Sequence, residues 1–251
     1  MHEALSPTAT RSTSDDRLER FIEGMRVIIV AGIPAGVLLV GVGSRLAMLL
    51  LRLTSPGRAR GVTSDDGFTI GDVTLGGTYN LLFLGAAVGI IGAIAYRMVA
   101  PWLLGPTWFR RLTTGLAAAA VVGSMLIHAD GIDFTLLGPT WLAVGLFIVL
   151  PGVFGALIGS SVDAVGRSDS WTTRGRRRWV LPLAAIACFP PTALLVLFAS
   201  VIVGVGIVVG DLGPTQRMRR APLCALGVRS LWFLIAVAGL IALVNDIVAV
   251  A

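Results

Sequence analysis

From Val27 onward the chain is a succession of long apolar stretches, and the polar connections between them are too short to hold a folded soluble domain. That feature decides the solvent. A helix needs about 20 predominantly apolar residues to cross a ~30 Å hydrocarbon layer, and most of these stretches reach or approach that length. They are unbroken rather than alternating over ~10 residues, which favours helices over barrel strands. A helix also satisfies its own backbone hydrogen bonds, which lipid cannot do. Composition agrees, since 14% of the residues are charged against about 25% in an average soluble domain. The expected fold is an all-α polytopic bundle of about six transmembrane helices.

The spans are expected near Val27–Leu51, Thr78–Val99, Pro106–Ile127, Pro139–Ser160, Val180–Val209 and Val228–Val250. Residues 1–26 read differently. The first dozen, rich in Ser, Thr and Pro, carry too little apolar surface to order themselves. Ser14, Asp15 and Asp16 then supply a helix start with acids at the positive end of the dipole. Leu18, Phe21, Ile22 and Met25 follow at helical spacing, so a short amphipathic helix in the headgroup layer is expected to lead into the first span. Residues 27–251 then form a single transmembrane domain. The first apolar run is longer than a signal core of about 7–15 residues and is expected to remain as a span.

Leu-Leu-Gly-Pro-Thr-Trp occurs identically at Leu103–Trp108 and Leu136–Trp141, and Gly-Pro-Thr recurs at Gly213. Proline suits the start of a helix, where its missing N–H has no partner to lose, so the motif reads as a helix initiator with an interfacial tryptophan. GxxxG pairs at Gly32/Gly36, Gly85/Gly89, Gly155/Gly159 and Gly206/Gly210 allow close backbone approach between helices in lipid. Asp72-Val-Thr-Leu-Gly-Gly before span 2 and Asp133-Phe-Thr-Leu-Leu-Gly before span 4 share Asp-x-Thr-Leu-x-Gly, the pattern of a duplicated helical hairpin. Parallel repeats of this sort build some transporters. The segment Phe68–Leu75 is nearly symmetrical about Gly71-Asp72, which predicts a small β-hairpin between spans 1 and 2 with a Gly-first turn. Phe68 would pair with Leu75 and Thr69 with Thr74.

All 20 basic residues are arginine. Without lysine the chain has neither a Walker A phosphate loop nor a pyridoxal Schiff base, and no cofactor is expected. The net charge of +6 is what basic cytoplasmic loops produce, so it does not indicate nucleic acid. With the N-terminus inside, six crossings put twelve arginines on the cytoplasmic side and seven outside. That balance favours a bacterial cytoplasmic membrane with a cytoplasmic N-terminus. One conflict accompanies it: the connection holding Arg217, Arg219 and Arg220 falls outside. Pro182, Pro190 and Pro191 must kink or break the preceding stretch, and a re-entrant segment there would remove the conflict. The basic clusters Arg174–Arg178 and Arg217–Arg220 would meet anionic lipid headgroups. Cys188 and Cys224 match no metal or redox motif and read as free thiols.

His128, Asp130 and Asp133, with Asp72 on the same side, form the best candidate for ion binding or proton relay. As the plain alternative, they belong to a solvated turn that caps span 4. Arg45, Asn80, Asn245 and Asp246 are the intramembrane polar candidates, although Arg45 lies far enough along its span to snorkel to the surface. Asp163 most simply pairs with the arginine-rich loop that follows it. No metal centre is expected, and HExxH, GxSxG and GxGD are all missing. The stretch His-Ala-Asp-Gly-Ile-Asp-Phe from His128, followed by a proline-led span, resembles multipass integral membrane proteins of GC-rich bacteria. The resemblance covers roughly Arg45 to Asp163 and implies no particular activity.

Two functions fit these residues. One is a non-enzymatic membrane scaffold or accessory subunit, working through its glycine-rich helix faces with a membrane-protein partner or a second copy. The other is a small permease or ion-linked transporter using the outer acidic and histidine cluster. A polar cavity near Arg45, Asn80 or Asn245 would support transport, and a dry, fully packed bundle the scaffold.

Overall fold

The structure, a computed structural model, describes residues 13–55, 74–127, 139–211 and 222–250. These residues form helix α1 (Thr13–Gly36), which continues through a π-helical segment (Val37–Val42) into α2 (Gly43–Thr54). Then follow α3 (Leu75–Val99), α4 (Thr107–Leu126), α5 (Thr140–Val165), α6 (Arg177–Cys188), α7 (Ala193–Asp211) and α8 (Pro222–Val250). No strand occurs among the described residues. We call the end of the bundle where α1 begins the proximal face, and the other the distal face.

The amphipathic start and the first span are one continuous helix, with no break near Arg26. The irregularity comes later. Pro34 has no N–H to donate and its ring crowds the preceding turn. Just beyond it the ladder loosens until the Gly43 N–H reaches back five residues to the Leu38 carbonyl. Pro106 and Pro139 each occupy the position just before a helix, as the repeated motif implies. Trp108 and Trp141, in the first turns that follow, are 64% and 74% exposed, as befits aromatic belts at the two faces.

The predicted β-hairpin lies almost wholly outside the described residues, at 68–73, and its last two positions are not in a strand. Thr74 and Leu75, its last two positions, instead begin α3. The Thr74 hydroxyl accepts the Gly77 N–H at 3.1 Å, an N-cap that commits Leu75 to the helix rather than to a strand.

Close approach of backbones organises the core. A Cβ placed on Gly32 would lie 2.6 Å from the Gly89 carbonyl oxygen, and one on Gly85 would lie 2.7 Å from that of Gly36. Helices α1 and α3 therefore run antiparallel with their main chains in contact, a geometry only glycine on both sides permits. Helices α4 and α5 repeat the arrangement: a Cβ on Gly115 would meet the Gly152 oxygen at 2.8 Å, and one on Gly155 the Thr114 oxygen at 2.8 Å. Both hairpins run in the same sense. Helix α5 packs back on α3 where Phe154 covers Gly92 and Tyr96 covers Gly159. Helix α8 lies along α4, with Gly239 against Val121 and Leu243 against Gly123. Ile28, Ala86, Ile90 and Ala93 are completely enclosed by this packing.

Among the described residues, five helical stretches are long and apolar enough to cross a bilayer: Ser14–Thr54, Leu75–Trp102, Thr140–Val165, Pro190–Asp211 and Leu223–Ala249. The six expected spans become five: Pro190–Asp211, within the expected 180–209, is one of them, while the expected span Pro106–Ile127, helix α4, is not. The stretch 180–209 is also not one helix. The helix ends at Cys188, a 3-10 turn spans Pro190–Thr192, and α7 starts in a new direction. The two prolines have no N–H groups with which to carry the ladder through. Arg178 and Trp179 at the start of α6 share a groove with Asp15, Leu18, Glu19 and Ile22 of α1. At the far end of α7, Asp211 meets Arg17 and Arg20. Between them, Phe189 at the tip stacks on Tyr79 near the distal start of α3, with ring centroids 6.3 Å apart. The segment leaves the proximal face, turns among the helices and returns to the same face. Its two arms pack on α1 more than on each other.

Candidate functional site

The densest polar construction among the described residues lies at the proximal face, where α1, α3 and α5 converge. Arg26 is 1% exposed, and a buried guanidinium is tolerable only when its donors are met. Its Nε donates to Glu23 Oε2 at 3.0 Å, and one terminal nitrogen donates both to Glu23 Oε1 and to the Val165 carbonyl, the latter at 2.9 Å. The other terminal nitrogen donates to Thr172 Oγ1. The Thr172 hydroxyl in turn shares a 3.0 Å hydrogen bond with that of Ser170. One side chain thus ties the first helix to the end of α5 and to the turn that follows it.

A second tie joins α3 to α5. The Tyr96 hydroxyl lies 3.1 and 3.0 Å from the two carboxylate oxygens of Asp163, while the Tyr96 ring packs on Gly159 one turn earlier. Asp163 is therefore bonded to a tyrosine across the bundle, and the expected pairing with the arginine-rich loop gives way to this contact. At the rim, Arg17 and Arg20 clasp Asp211, with Nε to Oδ2 at 2.8 Å and a terminal nitrogen to Oδ1 at 2.9 Å. Arg177 and Arg178 lie over the Trp171 and Trp179 rings at 5.8 and 5.7 Å, cation–π contacts of the kind that anchor a membrane interface.

His128, Asp130, Asp133 and Asp72 lie outside the described residues. Arg45 is half-buried in α2, Asn80 is exposed in α3, and Asn245 and Asp246 occupy the late turns of α8, exposed and half-buried. These four belong to the distal part of three different helices. Among the described residues no group of histidine, cysteine or carboxylate side chains is arranged to hold a metal ion. Cys188 and Cys224 are free, as the sequence implies.

Sequence reasoning missed the Arg26 and Tyr96 ties. A signal existed for one half of the first, since Glu23 and Arg26 have the i, i+3 spacing of a helical ion pair. Nothing local marks Thr172, whose partner is 146 residues away. Chemically, these groups act as fasteners, with their donors and acceptors turned on one another.

The fold and these ties define a polytopic all-α membrane protein. No protein-family model matches the chain, and neither the curated proteins nor the solved structures contain a significant match to it.

Proposed function

We propose that the protein is a non-enzymatic membrane scaffold or accessory subunit in a bacterial cytoplasmic membrane. The observation carrying this reading is the main-chain contact of α1 with α3 at Gly32, Gly36, Gly85 and Gly89, repeated by α4 and α5 at Gly115, Gly152 and Gly155. Backbones in contact leave no polar pathway between those helices. At the proximal face Arg26, Glu23 and Thr172, and likewise Tyr96 and Asp163, are spent on holding helices to one another. What remains available is outward apolar surface, such as Leu194, Leu197, Phe198 and Val201 of α7, which lipid or a membrane-protein partner covers.

The fold-back of α6 and α7 supports a specific threading. Helix α4, less apolar because Arg110 and Arg111 occupy its first turn, crosses beside α5, while α7 returns to its starting face. Five crossings result: α1–α2, α3, α4, α5 and α8. The connection 212–221 then begins and ends at the proximal face, giving that face sixteen of the twenty arginines, with three distal and Arg45 between. This removes the charge conflict of a six-span threading and supports a cytoplasmic N-terminus.

Transport is the second reading, favoured by the fold-back itself, since irregular backbone within a bundle is tolerated where protein buries it or water lines it. Purification in mild detergent and reconstitution into vesicles distinguish the two. The scaffold reading expects a stoichiometric second membrane protein, or a defined homo-oligomer, and ion or solute flux no higher than in empty vesicles. A lone monomer with flux above that background overturns it.

A further inference from the structure

At the proximal face an apolar groove runs between the end of α3 and the start of α8, lined by Val99, Trp102, Leu103, Arg229, Trp232 and Phe233 among others. Its single charge is Arg229. The Nε of Arg229 donates to the Trp102 carbonyl at 3.0 Å, and this is the only hydrogen bond it makes among the described residues. The bond uses one donor and fixes the plane of the guanidinium, leaving the two terminal nitrogens to form the fork that matches a phosphate. Two indoles flank it, the side chains that favour the boundary between hydrocarbon and headgroup.

We propose that this groove is a binding site for an anionic phospholipid, with its phosphate on the Arg229 fork and an acyl chain along Val99, Leu103 and Phe233. The proposal rests on the membrane reading above. Lipid is the committed occupant because the groove combines one cation with otherwise apolar walls. A protein segment filling it would have to bring its own buried anion, and a free soluble anion would leave the apolar walls uncovered. The site differs from the general attraction of a basic face for anionic lipid, which draws on every arginine near the surface about equally. Here the charge is tethered and the space beside it has a shape.

The test uses the full chain in nanodiscs of mixed phosphatidylglycerol and phosphatidylcholine, with retained lipid read by native mass spectrometry after release into detergent. The wild-type protein keeps phosphatidylglycerol selectively. Arg229→Gln lowers that retention roughly tenfold or more, as expected for losing charge-assisted hydrogen bonds to a phosphate. Ser230→Trp, at an exposed position on the groove wall, fills the space without altering charge and lowers retention comparably. Arg176→Gln, at an exposed arginine away from the groove, leaves it unchanged. Equal losses from Arg229→Gln and Arg176→Gln, or full retention by Ser230→Trp, overturn the site and leave only diffuse attraction. A chain that inserts into neither lipid overturns the membrane reading along with it.

Discussion

The α1/α3 pair and the α6–α7 fold-back are both apolar helix pairs, yet they are held by opposite means. In the first, glycines face glycines and the main chains touch. In the second, a Cβ on Gly204 would come no nearer than 4.0 Å to the Phe21 ring, and one on Gly206 would meet nothing. Burying apolar side chains gains little when the alternative solvent is lipid, so helices in a bilayer associate through close packing and polar bonds. The glycine-faced pair has the packing. The fold-back is placed by its helix-breaking prolines, by the clasp of Arg17 and Arg20 on Asp211, and by side chains of α7 on α1 such as Val203 against Gly24. The same GxxxG spacing therefore means a seal at Gly32/Gly36 and no contact at Gly206.

The largest effect available to break this comparison is an all-or-none one, read by sidedness. In a chain whose native cysteines are replaced, Asp16→Cys and Arg176→Cys should react with a membrane-impermeant thiol reagent from one side, and Asn245→Cys only from the other. If Asn245→Cys reacts from the same side as Asp16→Cys, α7 crosses the bilayer and the fold-back is wrong.

Next comes a pair of matched substitutions. Gly89→Leu forces a side chain into the Gly32 main chain and should cost at least the ~1–3 kcal/mol of ordinary overpacking. Gly206→Leu, facing open space, should change stability by no more than about 0.5 kcal/mol. Thermal unfolding in detergent measures both, and equal destabilisation would erase the contrast between seal and loose contact.

Two polar contacts of the proximal face, at Arg26 and at Asp211, sharpen it further. Arg26→Leu removes hydrogen bonds from a buried charged group and should cost about 2 kcal/mol. Arg26→Lys should recover only part, because a single ammonium cannot reproduce the guanidinium fork that reaches Glu23, Val165 and Thr172. Asp211→Asn should act more weakly still, raising hydrogen exchange near the end of α7, and high salt should mimic it by screening the exposed pair. A large, salt-independent effect at Asp211 would show that the clasp carries more of the fold than its exposure implies.

Much of this was legible in the residues. The starts of α4 and α5 follow from Pro106 and Pro139, and the tryptophans behind them face outward as interfacial side chains do. The break near Phe189 follows from the double proline, but its outcome does not. A kinked crossing and a fold-back satisfy the same local rules, and the arginine tally only hinted at the choice. Leu75 was misread because Phe68–Leu75 carries strand-like alternation, whereas the hydroxyl of Thr74 is a helix cap. Of the distal candidates, Arg45, Asn80, Asn245 and Asp246 were found as polar exceptions within apolar runs, which marks them as unusual without saying what they face.

By itself the sequence determined the solvent, the helical class and the lengths of the main elements, because backbone satisfaction in lipid leaves a chain of long apolar runs no other form. Only the tertiary structure decided which glycines seal, where α7 ends and what Arg26 and Asp163 hold. Those outcomes depend on partners dozens to nearly two hundred residues away in the chain. Apolar periodicity sets the register of a helix, but in a bilayer it does not specify a neighbour, since every apolar face is equally at home against lipid.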